Sequence, residues 1–363
     1  MDFYLIIFIA VFSLSMVCVR LVKFLAVKAG AVDRPVMERK IHKTAVPLLG
    51  GLAVFLAFFI GLYLVKDEIL SGNLEPSHLI GFFAGAVILM IGGFLDDKYN
   101  LSPGQQIIFP ALAALAVIAG GVGIEKVTNP LGGFIFLDDW KLPIAFWGGK
   151  AHYFVIISDL FIFLWLMGMM YTTKILDGLD GLVTGVTAIG SFIIFLFTMT
   201  TKYYQPDIGL AALILSAACL GFLVFNWHPA KIFLGEGGSL FLGFALGTLA
   251  IISGGKIAIA LLILGIPIMD VAWAIIRRTL AGKNPFRFSD REHLHHRLLN
   301  LGFGQRKTVL IYYFLSAAFG LSALFLQSRG KVLALGLLVL LMFIIVAGIG
   351  LVNRQSQKFK AKS

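Results

Sequence analysis

Five short polar stretches contain the acids and histidines whose types and spacing could perform chemistry. They are Asp96 to Lys98, Asp177 to Gly181, Asn226 to Lys231, Gly235 to Ser239, and His293 to Arg297. Apolar segments separate them. If those segments cross a bilayer, all five stretches lie at one face of it. A membrane enzyme needs that arrangement, and a random scatter of polar residues would rarely produce it.

Two pairs of aspartates are the first candidates. Asp96 and Asp97 end the third predicted span, and neighbouring helical residues point about 100° apart, so both reach one site only if the helix ends there. Asp177 and Asp180 have an i, i+3 spacing, which predicts one helical face. The alternatives are solvated acids at a helix end and an ordinary Asp-Gly turn. Ionisable groups at membrane depth are functional by default, which favours a site.

The neighbours of the second pair indicate how it could be used. Gly178 and Gly181 would leave the flanking surface bare, so that a ligand can come close. Lys174 lies three residues before Asp177. It is a candidate ion-pair partner for that aspartate.

The glycine-rich stretch Gly235 to Ser239 contains Glu236 and opens the eighth predicted span. A helix start of this kind offers free backbone N–H groups and the positive end of the helix dipole, which suit a phosphate. The preceding segment adds Asn226, a donor and acceptor, and is followed by Phe233. Phe233 is either a stacking partner for a base or an aromatic anchor at the membrane interface.

Five carboxylates that converge on one pocket would repel one another. Each pair at about 4 Å costs roughly 1 kcal/mol in bulk water and about 4 kcal/mol at an effective dielectric constant of 20. A divalent cation relieves this repulsion, and all-oxygen ligands indicate Mg²⁺ or Mn²⁺ and not zinc. Mg²⁺ takes one or two protein carboxylates together with substrate phosphates. A phosphate-bearing substrate is therefore expected with the metal.

The last polar stretch, His293 to Arg297, is called the His motif below. On a helix, His293, His296 and Arg297 share a face and His295 points elsewhere. Imidazoles beside an arginine suit a diphosphate or a sugar hydroxyl. Zinc is the alternative, but no cysteine is near and the arginine would repel a metal. Asp270, inside the ninth predicted span, is either catalytic or a buried structural partner for a cation.

Composition places these stretches in a membrane protein. The chain has 363 residues, of which 59% are hydrophobic and 13% charged, whereas soluble domains are about 45–50% apolar and about 25% charged. A single soluble domain is excluded, because the chain has too few charged residues to cover the surface of such a domain. The net charge of +11 is explained by topology and not by nucleic acid. Cys18 and Cys219 lie in apolar runs and are expected to be inert.

We predict an all-α integral membrane protein, a single domain over 1–363, with a retained first helix in place of a removable signal peptide. A small β-hairpin or re-entrant piece on the outer side is expected near 125–152. The eleven predicted spans are 3–25, 47–65, 78–95, 107–124, 153–173, 182–200, 207–225, 237–253, 256–276, 307–327 and 331–351.

The charge distribution orients these spans. Loops on one side contain most of the 30 lysines and arginines, and that side is cytoplasmic by the positive-inside rule. The N-terminus is then outside and the C-terminus cytoplasmic, and all five polar stretches face the cytoplasm. The loop 277–306 carries the His motif, and the basic tail 354–363 is expected to anchor at lipid headgroups.

Together the motifs resemble the polyprenyl-phosphate N-acetylhexosamine-1-phosphate transferases (glycosyltransferase family 4). The resemblance runs from about Asp33 to Tyr312 and includes the first loop, with Asp33-Arg34-Pro35, Arg39 to Lys43, and Pro47 to Gly51. The His motif with its following leucines is similar to the branch that initiates teichoic-acid and O-antigen synthesis. The phospho-MurNAc-pentapeptide translocase branch fits less well.

The resemblance implies a reaction and a set of partners. The enzyme would transfer N-acetylhexosamine-1-phosphate from a UDP-sugar, with UDP-GlcNAc the first candidate, to undecaprenyl or another polyprenyl phosphate, releasing UMP and starting lipid-linked cell-wall or surface-polysaccharide synthesis. It would lie in the cytoplasmic (inner) membrane with its active site facing the cytoplasm. The lipid bilayer is a partner, nucleic acid is not, and a homodimer is an allowed assembly.

The resemblance also implies residue roles. Asp96 or Asp97 would deprotonate or orient the lipid phosphate. Asp177, Asp180 and Glu236 would hold Mg²⁺ and the nucleotide. The diphosphate and sugar would be bound by Lys43, His293, His295, His296 and Arg297, with Asn226 and Phe233 near uridine.

Three positions depart from the family's pattern. The family usually has Asp where Glu236 stands, Asn at Lys174, and Lys at Gln106. A cation at Lys174 would weaken metal binding unless it contacts a phosphate. The departures at Lys174 and Glu236 also suggest an alternative, a catalytically inactive scaffold. A transporter or lipid flippase is a second alternative, but it predicts midplane charges and inverted repeats, and neither is clear in the sequence.

Overall fold

The structure is a computed structural model that describes residues 2–33, 45–72, 74–129, 133–147, 150–200, 204–253, 257–282 and 293–360. It is mostly helical, as an all-α membrane protein should be. The first eight helices are α1 (Asp2–Lys28), α2 (Gly50–Leu64), α3 (Lys66–Ile69), α4 (Pro76–Tyr99), α5 (Pro103–Gln106), α6 (Ile108–Ala119), α7 (Ile156–Leu176) and α8 (Leu182–Thr198).

The described part of the second half of the chain consists of helices and the loops between them. Its helices are α9 (Pro206–Asn226), α10 (Glu236–Ile252), α11 (Ile257–Ile263), α12 (Gly265–Leu280), α13 (Leu294–Asn300), α14 (Gln305–Phe325) and α15 (Ser328–Lys360).

Three antiparallel strand pairs complete the described structure. Strands β1 (Val32–Asp33) and β2 (Val46–Pro47) pair beside α2. Strand β3 (Lys126–Thr128) pairs with β4 (Phe134–Phe136), and β5 (Lys141–Trp147) pairs with β6 (Lys150–Val155). The predicted hairpin near 125–152 is therefore present, as two successive hairpins and not one.

Within the described residues, five helices are by themselves long and apolar enough to cross a membrane, namely α1, α4, α7, α9 and α14. Helices α11 and α12 form a sixth candidate span that bends by 78°. The prediction of one unbroken span over 256–276 is wrong in this respect. Pro267 lies in the first turn of α12 and cannot extend α11, because it lacks an N–H group and its ring clashes with the carbonyl of Ile263.

Helix α10 lies at the centre of the bundle, since Gly237 to Ile251 are all buried and α7, α4 and α2 pack against it. Two glycine contacts permit this packing. A Cβ atom on Gly93 would overlap the backbone of Gly237, and a Cβ atom on Gly51 would overlap that of Gly238. Small residues let membrane helices approach this closely. The ends of α2 and α4 therefore meet the first turn of α10.

An aromatic cluster fixes α10 farther along its length. Phe58 of α2 and Phe82 of α4 have ring centroids 5.7 Å apart with the rings edge to face, and Phe82 lies 5.4 Å from Phe244 of α10. Edge-to-face aromatic pairs add about 0.5–1.5 kcal/mol beyond the burial of their area. This packing holds the three helices that present the polar residues described next.

Candidate active site

Asp97 caps the start of α10. Its Oδ1 accepts a hydrogen bond of 3.2 Å from the backbone N–H of Glu236, where a carboxylate also interacts well with the helix dipole. Gly235 has a φ of +78°, and a Cβ atom there would lie 2.7 Å from Asp97 Oδ2. A protein carboxylate therefore already takes one N–H group of this helix start, and the predicted phosphate seat remains a prediction.

Asp96 points to a different partner, as expected for consecutive residues on a helix. Its Oδ1 accepts hydrogen bonds from the backbone N–H of Leu101 at 2.8 Å and from Nε2 of Gln106 at 3.0 Å. Helix α4 ends at Tyr99, and Asn100 follows with a left-handed φ of 50°. Asp96 thus ties the turn after α4 to α5.

Gln106 connects this turn to α7 and α10. Its Oε1 accepts a hydrogen bond of 3.0 Å from Nζ of Lys174, and the same ammonium forms an ion pair with Glu236 Oε1. The prediction that Lys174 pairs with Asp177 is wrong. Asp177 has left the helical path as the C-cap of α7, whereas the packing of α10 on α7 places Glu236 beside the lysine.

Asp177 and Asp180 lie on the turn between α7 and α8 and not on one helical face, which corrects the prediction from their spacing. Asp177 has a non-helical ψ of 47° because α7 ends at Leu176. Asp180 Oδ2 accepts a hydrogen bond of 3.1 Å from the backbone N–H of Ala230 and lies 2.7 Å from Nδ1 of His228. The turn is therefore held by the loop after α9.

Asn226 holds the same turn from the end of α9. Its Oδ1 accepts hydrogen bonds of 3.1 Å from the Gly181 N–H and from the Thr184 hydroxyl, and its Nδ2 donates one of 3.0 Å to the carbonyl of Ile232. The side chain is 5% exposed. These contacts give Asn226 a structural role. Its predicted position near uridine remains a prediction.

The structure brings the five predicted carboxylates together as one acid cluster. Each is close enough to at least one other for their charges to interact, and Asp33 adds its charge near Asp97. The members of the acid cluster are Asp96, Asp97, Asp177, Asp180 and Glu236.

Asp177 is the member most available to a ligand. Part of its surface is accessible to solvent, although protein atoms surround the carboxyl group densely. This crowding, followed by the charges of Glu236, Asp97 and Asp180, raises the pKa of the Asp177 carboxyl group to about 8. Both effects disfavour the charged form. A cation beside this carboxyl group would favour its charged form.

The acid cluster is not a ready coordination shell. Among the residues that the structure describes, no three His, Cys, Asp or Glu side chains are grouped as metal ligands. Asp97 is bound to a backbone N–H, Asp180 to His228 and Ala230, and Glu236 to Lys174. In this arrangement the donors do not fit the predicted magnesium ion.

Asp270 positions the His motif. Helix α13 begins at Leu294, whose N–H donates to Asp270 Oδ1 at 2.9 Å, and His293 Nδ1 lies 3.0 Å from Asp270 Oδ2. His293 is thus the residue before the helix and not on its face. Its ring stacks parallel to that of His295 with centroids 5.9 Å apart, and His295 lies 4.3 Å from His296. The predicted common helical face of His293, His296 and Arg297 is therefore not formed, because His293 precedes α13.

His295 joins the His motif to the turn that carries Asp177. It is 1% exposed, and a Cβ atom on Gly178 would lie 2.5 Å from its Nε2. Gly181 likewise accepts a hydrogen bond of 2.5 Å from the Tyr313 hydroxyl through its carbonyl. The space beside Gly178 and Gly181 is therefore filled by the side chains of His295 and Tyr313. This corrects the prediction that these glycines leave the surface bare for a ligand.

The protonation state of His295 follows from its surroundings. Burial, and then the neighbouring His296 and His293, lower the pKa of its imidazole to about 3. His295 is therefore neutral at physiological pH and cannot supply a positive charge to a phosphate.

The structure gives fewer contacts for the other predicted ligand-binding residues. Lys43 lies outside the described residues. His296 and Arg297 lie half-buried on α13. Phe233 is half-buried as well, and its backbone pairs with the loop before α2, through hydrogen bonds of 2.9 Å to Pro47 and from Gly50. The roles of these residues remain predictions.

Sequence reasoning missed several residues that support the site. His228 lay inside a polar stretch but was not chosen, although its contact with Asp180 makes it part of the turn. Arg306 Nε donates a hydrogen bond of 3.0 Å to the His228 carbonyl, and Tyr313 reaches Gly181. Tyr313 lies in an apolar helix with no local pattern to reveal it. Only the approach of α14 to α8 shows its role.

Comparison with known sequences decides the family. The profile of glycosyl transferase family 4 matches residues 79–254. A protein of Bacillus subtilis (strain 168), named as a probable undecaprenyl-phosphate N-acetylglucosaminyl 1-phosphate transferase, is 34% identical over 348 residues, which cover 93% of this chain and 90% of the relative. The chain belongs to glycosyl transferase family 4.

Other similar proteins cover both branches of the family. The decaprenyl-phosphate N-acetylglucosaminephosphotransferase of Mycobacterium tuberculosis (strain H37Rv) is 30% identical, covering 90% of this chain and 83% of the relative. The phospho-N-acetylmuramoyl-pentapeptide-transferase of Desulforamulus reducens is 31% identical, covering 78% and 82%. The resemblance predicted from the motifs is confirmed. A transporter, the alternative function, is not supported by these relatives.

Proposed function

We propose that this multi-pass membrane protein of glycosyl transferase family 4 transfers N-acetylglucosamine-1-phosphate from UDP-GlcNAc to a polyprenyl phosphate and releases UMP. The observation that supports it is the meeting of the acid cluster and the His motif at the turn Asp177 to Gly181, where His295 packs on Gly178. The choice of a polyprenyl phosphate as acceptor and of N-acetylglucosamine phosphate as the transferred group follows the names of the similar proteins.

The proposed reaction exchanges one phosphoanhydride for another. An oxygen of the lipid phosphate forms a bond to the phosphorus that carries the sugar, and the bond from that phosphorus to UMP breaks. Such transfers depend on positioning and charge neutralisation more than on covalent catalysis. Because the bonds broken and formed are of one type, we expect the reaction to be freely reversible.

We assign the residues by their contacts as well as by resemblance. Asp177 is the strongest candidate to face the reacting phosphates, since it is accessible and we find no hydrogen bond to its carboxylate among the described side chains. Asp97 lies at the joint between α4 and α10 and is assigned to the lipid phosphate. His293, His296 and Arg297 are assigned to the diphosphate and sugar, with His295 holding them against the turn.

Dependence on Mg²⁺, with Mn²⁺ as a substitute, is part of the proposal. The clustered carboxylates and their mutual repulsion support it. Because the described donors do not form a coordination shell, metal binding on this proposal requires that some of the present contacts open.

We also propose the finer topology. Each of the eleven predicted spans coincides with a helix or a helix pair of the structure, and the lysine and arginine distribution favours an outside N-terminus and a cytoplasmic C-terminus. The site would then face the cytoplasm at the inner membrane, where polyprenyl phosphate headgroups lie. A homodimer is compatible with this arrangement.

Reconstitution tests the reaction. Purified full-length protein in nanodiscs is incubated with undecaprenyl phosphate and a panel of radiolabelled UDP-sugars, with Mg²⁺ present. We expect label in the lipid fraction and stoichiometric UMP with a UDP-N-acetylhexosamine. Asp177→Asn should lose the activity, whereas Asp67→Asn, a change at an exposed acid of α3, should keep it. The absence of lipid product with every UDP-N-acetylhexosamine would contradict the proposal.

A further inference from the structure

A lysine stands among the carboxylates of the acid cluster. The ammonium of Lys174, near the end of α7, forms an ion pair with Glu236 at the start of α10. The two side chains reach each other because α10 packs on α7. A cation of the protein itself therefore already contacts one of the clustered acids.

The ion pair is shielded and anchored. The side chain of Lys174 is 22% exposed and that of Glu236 is 20% exposed, so salt screens the pair less than it would at the surface. Gln106 Oε1 accepts a hydrogen bond from the same ammonium, and Gln106 Nε2 donates to Asp96. One lysine thus connects acids from α4 and α10.

We propose that Lys174 is the built-in counter-ion of the acid cluster, and that a divalent cation binds Glu236 only by displacing the Lys174 ammonium. The lysine supplies positive charge where the donors are not arranged for a metal, which explains why the carboxylates can remain together in this arrangement. Lys174 is on this view a positioning residue that sets the affinity of the site for divalent cations. The proposal deepens the proposed function but is tested by cation binding, which requires no sugar transfer.

If the Lys174 ammonium and a divalent cation compete for Glu236, replacing the lysine should change the affinity for the divalent cation in a known direction. Replacing Lys174 by Asn removes the competing charge and the repulsion between ammonium and metal, so the divalent cation should bind more tightly. Lys174→Arg keeps the charge and should bind the metal as the wild type does. The double variant Lys174→Asn with Glu236→Asp keeps a carboxylate and lacks the ammonium, and it should also bind the divalent cation tightly.

Mn²⁺ binding to purified full-length protein in nanodiscs, followed by the loss of the free-ion EPR signal, tests the proposal. We expect Lys174→Asn to bind Mn²⁺ at least tenfold more tightly than the wild type. Lys66→Asn, a change at an exposed lysine of α3, is the matched control and should leave the affinity unchanged. If Lys174→Asn binds Mn²⁺ within threefold of the wild type, or more weakly, the proposal is wrong.

A measurement on the wild-type protein remains decisive if the variants do not fold. Acylation of lysine amines is quantified by mass spectrometry with and without saturating Mg²⁺, taking Lys66 as the internal reference. Displacement of the ammonium should raise the modified fraction of Lys174 relative to Lys66 at least twofold. An unchanged or lower ratio overturns the proposal. Loss of sugar transfer with these binding results intact would count against the proposed function alone.

Discussion

The imidazole of His295 packs against the backbone of Gly178, so that a Cβ atom on this glycine would lie 2.5 Å from Nε2 of the ring. Gly178 follows Asp177 on the turn after α7, and His295 belongs to α13. One contact therefore sets the distance between the His motif and the most accessible acid of the cluster. The turn and the motif should act as one unit.

Gly178→Ala tests this unit. The added methyl group would displace the His295 ring, and overpacking of this kind costs about 1–3 kcal/mol. We expect UMP release to fall by about 10²-fold, since a displacement of about 1 Å at a reacting centre has that effect. Gly168→Ala is the control, because nothing lies within 4 Å of a Cβ atom at that α7 position. Equal activity of the two variants would show that the contact is dispensable.

Asp97→Asn separates charge from helix capping. The amide oxygen of Asn can still accept the hydrogen bond from the Glu236 N–H, so we expect the melting temperature to change by only a few degrees. The negative charge beside the proposed lipid phosphate is lost, and kcat should fall by at least about 10²-fold. Both quantities are measured on the same nanodisc preparation. An unchanged kcat would leave Asp97 with a capping role only.

The pKa of Asp177 predicts a pH dependence of stability. Its folded-state pKa of about 8 lies above the ordinary value of 3.8, so the folded protein binds this proton more tightly than the unfolded chain does. The stabilising contribution is therefore complete below about pH 4 and is lost as the pH rises to about 8.

Thermal unfolding of metal-free protein between pH 5 and pH 8 checks this sign. Asp177→Asn carries no titrating group at this position, so its melting temperature should exceed that of the wild type at pH 8, and the difference should shrink as the pH falls. Saturating Mg²⁺ should reduce the difference at pH 8, because a cation favours the charged carboxylate. A constant difference across the pH range would rule out this account of Asp177.

Asn226→Ala distinguishes a structural role from contact with the nucleotide. The substitution removes three hydrogen bonds of a buried side chain, and each contributes about 1 kcal/mol. We expect the melting temperature and kcat to fall together because the turn at Gly181 is released. A raised KM for the UDP-sugar with an unchanged melting temperature would instead favour direct contact with uridine.

Much of the architecture was predictable because it depends on local properties. The apolar composition and spacing of the spans indicate helices wherever they occur, and Asn129-Pro130 with Gly132-Gly133 indicated the turn region that contains the hairpins. The bend between α11 and α12 was also present in the sequence as Pro267, but the apolar run around it concealed the break. The predicted order of spans and loops placed the acids on one side, and the structure brings them near one another.

The partners of each site residue were decided only by the tertiary structure. The spacing of Asp177 and Asp180 predicted one helical face, yet α7 ends at Leu176. Asp180 instead accepts a hydrogen bond from Ala230 in the loop after α9. Lys174 was nearest in sequence to Asp177 but pairs with Glu236, because α10 packs directly on α7. Residue types and their order determine which charges reach the membrane surface. Which of them touch depends on helix packing, and local sequence does not encode the distance between two helices.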